Sequence, residues 1–140
     1  MKIDTIYYQR CISALEQAYN LLLKTDKKNI DYDIYRSACV KEFEIILEQS
    51  GKLLRKVLKP YLHSSQSVDK LIFKDLFRYA VKHSIMDDES CERWLKYRDN
   101  RNNTAHDYGI KFAEETLILL PLFIADAKQL TQIFNHDIER

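Results

Sequence analysis

The sequence predicts an all-α fold, an up-and-down antiparallel bundle of about five helices, on three observations. Glycine and proline occur twice each in 140 residues, too few for the turns that many short strands need. Apolar residues recur three and four positions apart over long stretches, which is the spacing of one helix face. The length suits a single domain around one core, residues 1–140, with no repeat and no linker.

Taken in order, Ile3, Tyr7, Cys11, Ala14, Ala18 and Leu21 share one face of a first helix ending near Thr25. The polar stretch "TDKKNIDYD" breaks it. A long second helix starts near Tyr32, carries Tyr35, Cys39, Phe43, Ile46, Ser50, Leu53 and Val57 inward, and stops at Pro60, which has no N–H to donate. "HSSQS" reads as a loop, and a third helix covers about Leu71 to His83. Asp87 or Asp88 is placed to cap a fourth helix, with Cys91, Trp94 or Leu95, and Arg98 on one face and Gly109 suited to closing it. The last helix runs from about Phe112 to His136, and Pro121 inside it is expected to kink or restart it.

Composition narrows the function classes. A formal net charge of +1 gives no global basic field for nucleic acid, so any such contact must be local. Cys11, Cys39 and Cys91 form no CxxC pair and read as buried thiols of a reducing compartment. The N-terminus lacks a signal-peptide core, and the longest apolar run, "LILLPLFIA", is too short for a bilayer, so the expectation is a cytoplasmic protein without a membrane partner. The four histidines stand at no metal-sharing spacing, so neither a metal nor a cofactor is expected.

One stretch stands out: "YRDNRNNTAHDYG", residues 97–109, gathers two arginines, three asparagines, a histidine and two tyrosines with no aliphatic anchor. Arg101 offers a planar fork of donors suited to a phosphodiester. His106, of a residue type with an ordinary pKa near ~6.5, can exchange a proton at neutral pH. On one continuous helix Arg101 and His106 would point about 140° apart, so the helix must end within the motif or a second chain must complete the site. Asn102 either caps the frayed helix end or lines the site.

Arg101 to Tyr108, "RNNTAHDY", resembles the RX4HXY signature of the HEPN superfamily. "VKEFEIILEQSGKLLRKVL" and "IMDDESCERWLKYRDNRNNTAHDY" resemble its branch of nucleotidyltransferase substrate-binding proteins and HepT-like toxins. Gly109 and Ile110 depart from the pattern, which has acidic residues after the tyrosine. The resemblance implies a homodimer whose two motifs form one cleft, a metal-independent endoribonuclease with Arg101 and His106 catalytic, and a minimal nucleotidyltransferase antitoxin that transfers AMP onto Tyr108. RNA is then the substrate and DNA, lacking the 2′-hydroxyl, is not. The alternative is a non-catalytic subunit presenting a nucleotide to that nucleotidyltransferase. Lys41, Glu44 and Glu48 also match the branch but carry no assigned chemistry, and Phe43 and Trp94 read as core. The basic run "KLLRKVLK" reads first as a solvated helix face, and secondarily as an RNA-binding surface.

Overall fold

The computed structural model describes residues 3–62, 64–104 and 109–138, with the side chains of residues 65, 102–104 and 137–138 excepted. Among them are six α-helices and no strand: α1 (Ile6–Leu23), α2 (Ile30–Leu58), α3 (Ser65–Asp69), α4 (Phe73–Lys82), α5 (Asp88–Thr104) and α6 (Ile110–Ile138). The all-α bundle expected from the sequence is therefore what forms. α2 is its axis, touching each of the other five helices, and it is apolar on more than one side, burying Cys39, Phe43, Ile46, Leu47, Leu53, Leu54 and Leu58.

Local chemistry sets the helix ends. The Asn29 side chain accepts from Asp31 N–H at the start of α2, with Asp31 and Asp33 in the first turn against the positive end of the helix. Pro60 ends α2 as expected, in a 3-10 turn over Lys59–Tyr61. "HSSQS" holds more than a loop, because Ser64 caps the short α3 by accepting from Ser67 N–H. α4 closes with Ser84 in the left-handed region at φ 60, where Ile85 N–H donates to Ala80 C=O and Ser84 N–H to Val81 C=O. This paired arrangement satisfies carbonyls that the last turn leaves open. Of the two candidate caps for α5, Asp87 serves: its carboxylate accepts from Ser90 N–H at 2.7 Å. That hydrogen bond holds the Asp87 pKa below the ordinary carboxylate value.

Two expectations for the helices are corrected. The buried stripe of α1 is Tyr8, Cys11, Ile12, Leu15, Ala18 and Leu22, while Tyr7 is 56% exposed and Leu21 38%. Helical spacing admits either tyrosine; Tyr8 wins because its hydroxyl finds a buried partner in Ser50 Oγ, 2.7 Å away. Pro121 does not restart the helix: α6 runs continuously through it, with the proline on its exposed side. The missing backbone hydrogen bond is offset by Leu120 and Phe123, fully buried on the core side. The stretch Ile110–His136 is long and apolar enough by composition to cross a membrane, and half of its most apolar 18-residue window is buried inside the bundle. The short run "LILLPLFIA" had understated that length.

Candidate functional site

α5 carries the motif, and aromatic packing holds α5. Trp94 stacks on Phe77 of α4 at 5.2 Å between centroids and meets Phe123 of α6 edge-on at 5.6 Å. Tyr97 meets Phe123 at 4.9 Å and Phe43 of α2 at 6.5 Å. Trp94 and Phe43 are thus core, as the sequence indicated. Below this cluster Asp126 of α6, 5% exposed, accepts two hydrogen bonds from Arg93, at 2.8 and 2.9 Å, and one from the Tyr97 hydroxyl at 2.5 Å. Burial and the Asp126 carboxylate together push the Tyr97 phenol well above its ordinary range. Asn100 Nδ2 adds a bond to Thr116 Oγ1 at 3.1 Å. The helix is therefore anchored along its length up to the motif.

Arg101 stands in the last turn of α5 with its side chain 35% exposed. Among the described residues its guanidinium makes no hydrogen bond, and its one charged neighbour is Glu48 of α2, with Nη1 and Oε2 3.9 Å apart. The same Oε2 lies 3.8 Å from Arg98 Nη1. Arg98 also lies over the Phe73 ring at 5.0 Å, which braces its guanidinium beside α2. The wider surface carries a Lys74–Asp99 pair at 2.7 Å. Glu48 is the residue that the sequence left without a role and that the fold brings to Arg101; nothing in linear spacing connects the two.

His106 and Tyr108 lie outside the described residues, as does the side chain of Asn102. The two helices flanking that segment are described: α5 reaches Thr104 and α6 begins at Ile110, after Gly109, whose carbonyl accepts from Ala113 N–H. Gly109 therefore leads into α6. A cavity of about 340 Å³ between α2 and α6 reaches Gly109 and is walled by Arg36, Val40, Lys41, Glu44 and Phe112.

The three cysteines are buried and free, as expected, and burial pushes the Cys39 thiol up to about 11. Among the described residues no three metal-ligating side chains come together. The basic run splits by role: Arg55 donates to the Val68 and Leu71 carbonyls at 2.5 and 2.9 Å and ties α2 to the α3–α4 connection, whereas Lys52 and Lys56 face solvent.

A protein of Haemophilus influenzae called probable ribonuclease HepT is 30% identical over 104 residues, 74% of this chain and 70% of that protein. A solved Haemophilus influenzae structure, described as the fold of a substrate binding domain of a nucleotidyltransferase, superposes with a TM-score of 0.75 at 21% identity, over 98% of this chain and all of that one. At that identity the likeness establishes the shared fold. Residues 4–136 match the family described as nucleotidyltransferase substrate binding protein like, and the chain belongs to that family, as a HepT-like, HEPN-related helical protein.

Proposed function

We propose that this chain is the ribonuclease toxin of a toxin–antitoxin pair, a cytoplasmic homodimer that cleaves RNA without a metal. The observation that carries this reading is Arg101: a guanidinium on a firmly anchored helix, partly exposed, whose contact among the described residues is a loose one to a half-exposed carboxylate. A phosphodiester offers that fork a better partner than Glu48 does, because it can accept two charge-assisted hydrogen bonds.

In the reaction the neighbouring 2′-hydroxyl of RNA attacks phosphorus. The new O2′–P bond forms, the P–O5′ bond breaks, and a 2′,3′-cyclic phosphate and a 5′-hydroxyl result. His106 of one protomer accepts the 2′ proton and the partner's His106 returns a proton to the leaving oxygen, each step worth roughly 10²- to 10⁴-fold. Two protomers are needed because each chain brings one motif, and an isologous interface repeats it across the axis. Arg101 stabilises the charge that grows on the non-bridging oxygens, and Asn102 lines the same cleft. A minimal nucleotidyltransferase acts as antitoxin by transferring AMP from ATP to the Tyr108 hydroxyl, with release of pyrophosphate. The adenylyl phosphate then takes the place of substrate at Arg101.

The test is RNA cleavage in EDTA. Wild-type dimer is expected to release 2′,3′-cyclic phosphate ends, His106→Ala to release none, and Tyr108→Phe to keep some cleavage while refusing AMP from the partner enzyme. The second reading, a non-catalytic nucleotide-binding subunit, draws on the cavity at Gly109 with Arg36, Lys41 and Phe112 in its walls. No cleavage by a dimer that still binds ATP or AMP would replace the first reading with the second.

A further inference from the structure

Beside Arg101, a cavity of about 120 Å³ lies between α2 and the α4–α5 pair, walled by Glu48, Gly51, Lys52, Arg55, Phe73 and Arg98. We propose that it is a second phosphate subsite, in which Arg98 and Lys52 hold a backbone phosphate of single-stranded RNA next to the phosphodiester bound by Arg101. The proposal rests on the ribonuclease reading and extends it to how the strand is held.

The walls have distinct tasks. Arg55 is committed to two backbone carbonyls and supplies fixed positive charge. Arg98 is 24% exposed and braced on Phe73, so its guanidinium is held at the cavity mouth with little side-chain freedom left to lose on binding. Lys52 is exposed and has no side-chain partner among the described residues, leaving three donors for an anion. Glycine at 51 lets Phe73 pack close on α2, because a Cβ there would lie 3.0 Å from Phe73 Cδ2. A larger side chain at 51 would displace the ring on which Arg98 rests.

Glu48 reveals what the cleft attracts. Its Oε2 is 3.8 Å from Arg98 and 3.9 Å from Arg101, beyond hydrogen-bond length to both. One carboxylate oxygen thus serves two guanidinia poorly, in a cleft where Lys52 and Arg55 add further positive charge. It occupies the position of an anion without saturating the site, and being 48% exposed it can swing to solvent when phosphate enters. Arg98 and Arg101, one turn apart on α5 and sharing that oxygen, would then meet successive phosphates of one strand.

Binding of a 2′-O-methyl RNA oligonucleotide, which cannot be cleaved, measured by fluorescence anisotropy across a salt series, tests the subsite apart from catalysis. Lys52→Ala and Arg98→Gln are each expected to weaken binding and to flatten the slope of log K against log salt by about 0.7, the loss of one single-strand phosphate contact. Lys56→Ala, on the same basic run but outside the cavity, is expected to leave the slope alone, and Glu48→Gln to tighten binding several-fold. On cleavable RNA the loss for Lys52→Ala appears as a higher KM. Should Arg98→Gln also lower helicity, Lys52→Ala decides, since that side chain is exposed. Wild-type affinity and slope in Lys52→Ala overturn the subsite while leaving Arg101 as a single phosphate site. Failure of the wild-type dimer to bind the oligonucleotide at all overturns the ribonuclease reading and the subsite with it.

Discussion

Arg93 and Arg101 lie about two turns apart on α5, and the fold uses them in opposite ways. Arg93 delivers Nε and Nη2 to the two oxygens of Asp126 at 2.8 and 2.9 Å, and that carboxylate is 5% exposed. These bonds raise the pKa of the Arg93 guanidinium further. Arg101 faces Glu48, 48% exposed, at 3.9 Å. What separates a structural arginine from an available one is therefore the burial and geometry of its counter-ion. A bidentate pair on a buried carboxylate cannot be opened for a ligand without stranding that carboxylate's charge, whereas a pair on an exposed carboxylate is worth about 0–1 kcal/mol and yields to a better anion.

Exchanging the two losses breaks the comparison most directly. Arg101→Ala is expected to reduce RNA cleavage by about 10²- to 10³-fold, the range for removing one donor to a developing oxyanion, with the melting temperature nearly unchanged. Arg93→Ala is expected to destabilise the fold by about 2–4 kcal/mol, because Asp126 is left buried with only the Tyr97 hydroxyl. Denaturant midpoints and cleavage rates on both variants check this. Comparable stability losses in the two would erase the distinction.

A sharper version replaces both partners. Arg93→Met with Asp126→Leu is expected to recover most of the stability lost in Arg93→Ala, to within about 1–2 kcal/mol of wild type, since apolar isosteres remove the stranded charge. Urea unfolding of the double variant against each single variant measures the coupling. A double variant as unstable as the sum of the singles would mean that the pair contributes shape and charge independently.

The smallest effect concerns alkaline pH and the core beside these arginines. Burial pushes Cys39 up to about 11 from 9.0, so its neutral form is the native one. The folded pKa exceeds the unfolded one; the stabilisation is full below pH 9 and is lost as pH rises from there through 11. Between pH 8 and pH 10 this removes about 1 kcal/mol, a part of the drift that Cys39→Ala should remove while the Cys11 and Cys91 thiols, also raised by burial, keep the rest. Urea midpoints at the two pH values check it, and an equal drift in Cys39→Ala would assign the loss to other groups.

Much of this was written in the chain itself. The scarcity of glycine and proline and the three-and-four spacing of apolar residues determined an all-helical bundle, and the inward face of α2 from Cys39 to Val57 follows from period alone. Pro60 and Asp87 mark boundaries because proline lacks a donor and an aspartate can supply an acceptor at a helix start, each effect reaching only a few residues along the chain. The RX4HXY stretch is likewise a local pattern, visible without a fold. Tertiary structure decided the rest. Tyr8 over Tyr7 in the core depended on Ser50, 42 positions away; the unbroken α6 depended on buried neighbours that hold it across Pro121. Which arginine is tightly held and which, among the described residues, is only loosely paired depended on whether Asp126 or Glu48 came to meet it. Those partners belong to other helices, and periodicity reports only how a residue faces along its own helix, not what the neighbouring one brings against it.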